Sequence, residues 1–244
     1  SILAALLIWW PGQQSYASDT SSSTKSQPSV QGTVWVGDEG GNSITVIDAA
    51  KQKPVATLTG IAGPHNIQAA PDNKAVWATS GPESLAVSID AATYTVRGTV
   101  HTGKHPAHII VTPDGKTAYV ANGGDNTVTA IDVATMKPVA TIPVGAFPHG
   151  LRPSPDGKWV YVANAKGTTL SVIDTASNRK VADIEVGQRP VQVAFSPDGR
   201  FVYCSLGGEN AVAKVDVGTR ALLGTARVGD NPVQVFVTPD NKYV

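Results

Sequence analysis

The stretch TAYVANGGDNTVTAIDVATMKPVATIPVG, residues 117–145, returns 42 positions later as WVYVANAKGTTLSVIDTASNRKVADIEVG, residues 159–187. Working outward from this pair, a Pro-Asp turn recurs at Pro71, Pro113, Pro155, Pro197 and Pro239, always at an interval of 42. An apolar-Asp pair keeps the same interval at Asp48, Asp90, Asp132, Asp174 and Asp216, and so does a second proline series at Pro64, Pro106, Pro148, Pro190 and Pro232. A fixed period without insertions marks a repeat architecture, and one repeat defines the structural unit.

Within the repeat from Pro148 to Arg189 the apolar stretches are short, rich in Val, Ile and Tyr, and separated by turn residues. Four strands are expected: a, Gly150 to Ser154; b, Trp159 to Ala163; c, Thr169 to Asp174; and d, Lys180 to Val186. Pro155-Asp156-Gly157 suits the a–b turn, since proline presets φ and glycine accepts a positive one. Four antiparallel strands per repeat, with no helical periodicity between them, predict an all-β fold: a β-propeller of four-stranded blades around a central channel. The two quoted strings closely resemble the YVTN-type β-propeller repeat, and the match runs from about Thr33 to Val244. In appearance the repeat is also related to the propeller domains of nitrous-oxide reductase and haem-containing nitrite reductases. The resemblance specifies architecture and implies a seven-bladed ring in the complete protein. The chain enters at a strand b (Thr33 to Gly37) and supplies slightly more than five blades, so two further repeats are expected beyond it. Closing five blades would need Val233 to Thr238 to pair with the first three strands, which leaves Tyr243-Val244 as a surplus strand. An open arc would leave apolar blade faces bare.

Three segments are expected: a signal peptide at 1–17, a Ser/Thr-rich flexible tether at 18–31 and the propeller at 32–244. Ile2 to Trp10 is an apolar run of nine residues, followed by Pro11-Gly12 and by Ser15-Tyr16-Ala17, whose small residues suit signal peptidase. The initiator Met and basic segment are missing before Ser1, so the start is expected to be clipped. The run is too short for a bilayer span of about 20 residues, so no transmembrane anchor is expected unless the signal stays uncleaved. Periplasmic or extracellular placement follows.

The 19 basic residues balance 19 acidic ones, and charged residues are only 16% of the chain, so no field gathers phosphates and nucleic acid is an unsuited partner. The single cysteine, Cys204, excludes an internal disulfide, a c-type haem attachment pair and a multi-thiolate metal site. It lies in the run FVYCSL and is expected to be a small core residue. No nucleophile elbow, metalloprotease helix, phosphate loop or dinucleotide fingerprint occurs.

A repeat protein carries its own control: residue types shared by every blade serve the blade, and departures from a column mark candidates for a site. The repeated Asp residues are turn-formers by that test. Asn122 and Asn164 at the ends of b strands read the same way, and Tyr119, Tyr161 and Tyr203 suit packing between blades. The unequal columns follow the second proline series. The residue after proline is His65, Ala107, His149, Val191 and Val233; the next is Asn66, His108, Gly150, Gln192 and Gln234. His65, His105, His108 and His149, four of the five histidines, thus fall within two residues of three successive blade prolines. These d-to-a connections gather at one end of a propeller channel, where neutral imidazoles from neighbouring blades would suit copper, zinc or haem iron. Asn66, Gln192 and Gln234 would complete a polar rim. Arg152 stands where other blades carry Gln68, Ile110, Ala194 and Phe236, and is a candidate carboxylate clamp. The same residue types at loop–strand junctions also satisfy backbone groups, which is the plainer reading.

The leading expectation is an exported, non-catalytic binding propeller whose channel mouth contacts a small molecule or another envelope protein. The alternatives are a copper- or haem-associated redox protein with histidine ligands at that mouth, and a propeller lyase or lactonase.

Overall fold

The computed structural model describes residues 31–244. The proposed signal peptide, and all of the proposed tether but its last residue, lie outside the described residues. The described residues form 19 β-strands and no helix, and so no helix long and apolar enough to cross a membrane. Blade I has three strands, β1 (Thr33–Asp38), β2 (Ser43–Asp48) and β3 (Lys53–Thr59). Blade II is β4 (Pro64–Ala69), β5 (Ala75–Ser80), β6 (Leu85–Asp90) and β7 (Val96–His101). Blade III is β8 (Pro106–Val111), β9 (Thr117–Asn122), β10 (Thr127–Asp132) and β11 (Lys137–Pro143). Blade IV is β12 (Pro148–Pro153), β13 (Trp159–Asn164), β14 (Thr169–Asp174) and β15 (Arg179–Glu185). Blade V is β16 (Pro190–Phe195), β17 (Phe201–Leu206), β18 (Ala211–Asp216) and β19 (Leu222–Arg227). Every sheet is an antiparallel meander in sequence order, as the 42-residue repeat requires.

The turns behave as the repeated carboxylates predict. Asp156 accepts the Lys158 N–H at 3.1 Å and Asp198 that of Arg200 at 3.1 Å, while Asp132 and Asp174 each accept the N–H three residues on at 2.7 Å. The hydroxyls of Ser154, Ser196 and Thr135, and after them these backbone bonds, hold Asp156, Asp198 and Asp132 below the usual carboxylate range, and the Ser177 N–H does so first for Asp174. Asn122 and Asn164 differ from the expectation of turn-formers. Both are fully buried, and their amides bracket strands b and c, Asn122 donating to Thr127 and Thr129 and Asn164 to Thr169 and Ser171. A buried amide must find partners, and the cross-strand hydroxyls supply them for each Nδ2, while each Oδ1 is buried without one.

The core lies between blades. Ile110 and Tyr119 of blade III pack with Leu151, Val160 and Val162 of blade IV, and Tyr161 and Leu170 of blade IV pack with Val193, Val202 and Cys204 of blade V. Alternation along each strand sends one set of side chains to each neighbour, so both faces of a middle blade are apolar. Tyr119 and Tyr161 fill these interfaces as expected: the Tyr119 hydroxyl donates to Asn178 Oδ1 at 2.6 Å, and Tyr161 meets Phe195 edge-on at 5.2 Å. Outer strand β19 is exposed throughout, and residues 232–244 form no ladder with β1, so the five-blade closure does not occur. Phe236, Leu223 and Tyr243 are exposed, as an open arc implies.

Cys204 is fully buried in the blade IV–V core, and burial pushes its thiol well above the usual range. Its alkylation in the native protein is therefore expected to be at least about 100-fold slower than in urea, as followed by mass spectrometry; comparable rates would show that this interface is not packed.

Candidate metal centre

Each inner strand begins the same way. The residue before the proline takes a left-handed backbone conformation, with φ of 50° at Gly63 and His105, 54° at Phe147, 55° at Arg189 and 51° at Asn231. The proline then makes the first pair with strand b, after which the register jumps. Pro64 pairs with Ser80, but the next pair is Ile67 with Ala78; Pro106, Pro148 and Pro190 are followed by the same jump. Two residues per blade are thereby released from the ladder in a bulge, a device that re-aims side chains at sheet rims. They are the two columns singled out by comparing repeats.

The bulges of blades II, III and IV bring His65, His108 and His149 together. One ligand atom from each can be chosen so that all three lie within 4.8 Å of one another. The His65 and His149 Nε2 atoms are 3.4 Å apart, and the ring centroids are 5.4 Å apart for His65–His149, 5.7 Å for His65–His108 and 4.6 Å for His108–His149. Tetrahedral coordination at 2.0–2.1 Å separates nitrogens by about 3.3 Å, so only small side-chain rotations would complete it. Bonds at the opposite ring nitrogens set the orientation. His65 Nδ1 lies 3.4 Å from Glu39 Oε2 and His149 Nδ1 lies 3.2 Å from the Val191 carbonyl, which leaves each Nε2 facing the cluster. His108 Nδ1 lies 3.3 Å from the Gln192 amide nitrogen.

Small residues make the convergence possible. His65 and His149 occupy the same column two blades apart, and the residue between them is Ala107. His108 and Gln192 likewise stand two blades apart with Gly150 between; a Cβ at Gly150 would lie 2.2 Å from Gln192 Oε1 and 2.6 Å from the Val191 carbonyl oxygen. Thr79 holds the spacer strand in place, accepting the Asn66 N–H at 3.1 Å and donating to the Ala107 carbonyl at 2.7 Å.

Burial, first, and then the neighbouring His149, Arg152 and His65 push the His108 imidazole well below its usual range. Burial and then His65 bring His149 down to about 4. Both rings are neutral at pH 7, the form that ligates metal.

The other expected residues separate. His105 sits in the left-handed position before Pro106 and is exposed, so it does not join the cluster. Asn66 is buried and accepts the Ile109 N–H at 3.1 Å, tying blade II to blade III instead of lining a rim. Gln192 is 1% exposed and bridges His108 to Gln234, which itself is exposed and 3.4 Å away. Arg152 is half-buried in β12 beyond the histidines. Glu39 and the spacing roles of Ala107 and Gly150 escape sequence reasoning. The two spacers were visible as small residues in otherwise bulky columns; nothing in the sequence signals Glu39.

Two outcomes follow. Gly150→Ala is expected to destabilise the protein by about 2 kcal/mol in urea denaturation, because backbone cannot yield to the new methyl; an unchanged midpoint would refute the close approach. The unfolded chain protonates His149 near 6.5 and the folded chain only near 4, so stability is full above about pH 6.5 and declines as pH falls toward 4. Water reaching the half-buried ring reduces the full effect to about 2 kcal/mol, and His149→Gln should flatten that slope in denaturation curves measured from pH 7 to 4.

Comparison with known proteins places the chain in a family. The profile of the YNCE-like beta-propeller matches residues 83–244, more than half of the chain. Among solved structures, Kuenenia stuttgartiensis hydrazine synthase matches with a TM-score of 0.70 and 31% identity, over 75% of this chain and 55% of that one. This chain thus spans little more than half the length of that relative. A functionally unknown protein from Desulfotomaculum acetoxidans matches with a TM-score of 0.79 at 17% identity, over 86% of this chain and 71% of that one, a likeness of fold alone. No curated protein matches the chain. With its repeat, its meandering blades and the profile match in agreement, the chain belongs to the YNCE-like β-propeller family.

Proposed function

We propose that the protein is an exported propeller binding module that holds a first-row transition-metal ion, copper or zinc, at its channel mouth through His65, His108 and His149. The observation carrying this reading is that three imidazoles from three successive blades offer ligand atoms within 4.8 Å of one another. A set of neutral nitrogens favours copper or zinc over calcium or magnesium, which take oxygen ligands. Three protein ligands leave a fourth position for a small molecule or for a side chain of an envelope partner. Haem fits less well than a bare ion, because the three rings already touch and leave no gap for a macrocycle between them. We read the site as binding rather than catalytic, since Glu39, the carboxylate bonded to the triad, is engaged in orienting His65. Export rests on the apolar run from Ile2 to Trp10 and the Ser15-Tyr16-Ala17 cleavage pattern.

A second reading, that the chain works within a hydrazine synthase-like enzyme, has the 31% identity to that chain behind it. Formation of hydrazine by the complete purified protein would favour it.

Titration calorimetry with Cu(II) and Zn(II) tests the first reading. One ion per chain is expected with an affinity in the micromolar range or tighter, weakened at least about 100-fold (some 2.7 kcal/mol) in the His65→Ala/His108→Ala/His149→Ala variant. Equal binding by the variant, with its fold intact by circular dichroism, would end the proposal.

A further inference from the structure

An imidazole serves as a ligand only if one of its nitrogens presents a lone pair, and the group behind each ring decides that. His149 Nδ1 faces the Val191 carbonyl at 3.2 Å, and His65 Nδ1 faces the Glu39 carboxylate at 3.4 Å. Both oxygens accept, so each Nδ1 carries the ring proton and each Nε2 keeps its lone pair for the cluster. His108 is arranged the other way. Its Nδ1 lies 3.3 Å from Gln192 Nε2, and the Gln192 amide is fixed from its other end, because the Val193 N–H donates to Oε1 at 3.0 Å. Turning the amide over would set its NH2 against the Val193 N–H, donor against donor, where Gln192 is buried at 1% exposure and His108 at 3%. Gln234 Oε1, 3.4 Å from Gln192 Nε2, accepts from the same orientation.

Gln192 Nε2 therefore donates to His108 Nδ1, and the neutral ring carries its own proton on Nε2. Neither nitrogen of His108 is then free, since the amide occupies one lone pair and a proton the other. Gly150 admits the contact, for a Cβ there would lie 2.2 Å from Gln192 Oε1. In metal centres the ring nitrogen away from the ion ordinarily donates to an acceptor, an arrangement worth about 10–100-fold in affinity. Gln192 puts a donor in that place. We propose that Gln192 is a positioning residue that withholds His108 from the ion and so sets the strength of the centre. The third imidazole joins only when the Gln192 amide releases Nδ1 and the ring proton passes from Nε2 to Nδ1, so the centre binds less tightly than three free imidazoles at this spacing. This inference rests on the metal reading and adds what tunes the same site.

Two measurements on the full chain test this. Proton–nitrogen correlation NMR of the histidine rings in metal-free protein tells the two neutral tautomers apart, with the His108 signals assigned by their loss in His108→Ala. Wild-type His108 is expected to carry its proton on Nε2, and His149 on Nδ1. Gln192→Glu keeps the length of the side chain and turns the donor into an acceptor. In that variant His108 is expected to switch to the Nδ1–H tautomer and Zn(II) to bind at least about tenfold more tightly by titration calorimetry. A residue that only packed against the ring would leave the tautomer alone, and its replacement would not strengthen binding. If wild-type His108 already carries its proton on Nδ1, or if folded Gln192→Glu binds Zn(II) no more tightly than wild type, the role of Gln192 is overturned and the metal centre stands. If circular dichroism shows that the buried carboxylate unfolds the variant, the wild-type tautomer decides alone. If wild type holds Zn(II) no better than the triple alanine variant, the metal reading falls and this role with it.

Discussion

The break in pairing after each blade proline is the constraint on which the rest of the molecule depends. A regular inner strand would send residues alternately to its two blade neighbours, where they would be absorbed into the apolar cores. Releasing two residues between Pro148 and Leu151, and at the equivalent place in the other blades, frees side chains for the channel while the ladder resumes beyond. The left-handed residue ahead of each proline and the proline's fixed φ set up that break with local chemistry alone. Packing then tolerates polar columns at the inner edge, because the interfaces on either side are closed by residues such as Leu151, Val162 and Val193.

At that edge the balance is between desolvation and pairing. His108 and Gln192 are almost fully buried, and each would cost free energy if left without a partner. Their contact, together with the bond from Val193 N–H to Gln192 Oε1 at 3.0 Å, satisfies one with the other. His149 is anchored by the Val191 carbonyl and His65 by Glu39, so backbone and side chain share the work of orienting the rings. The result is a cluster of imidazoles whose positions are fixed by three blades, the kind of preorganisation that the proposed ion binding would draw on.

Much of this was legible in the residues. The spacing of Pro-Asp turns and Val/Ile/Tyr runs determined the four-stranded unit, and strand c of the reference repeat, Thr169–Asp174, falls where it was expected. Strand a was expected from Gly150 and begins instead at Pro148, because the proline makes one pair ahead of the bulge. Bulges have no fixed sequence signature, so their presence went unforeseen although their columns stood out. Among the candidate ligands, His105 resembled the others by spacing and differs only in backbone: one residue before the proline points outward, one or two after point in. Asn66 looked like a rim residue because a polar side chain beside an axis and one bridging two blades give the same letter in a column. Glu39 comes from the turn between β1 and β2 in a different repeat, and only tertiary assembly brings it to His65.

The spacers Ala107 and Gly150 carry a consequence for how such a chain can change. Repeat arrays ordinarily grow or shrink by whole units, since each unit contacts only its immediate neighbours. Here contacts skip a unit, from His65 to His149 and from His108 to Gln192, over a small residue. Duplicating or deleting the middle unit would leave every interface chemically matched and yet pull these pairs out of reach. The stretch from blade II to blade V therefore works as one block, and a unit gained or lost inside it would cost these contacts.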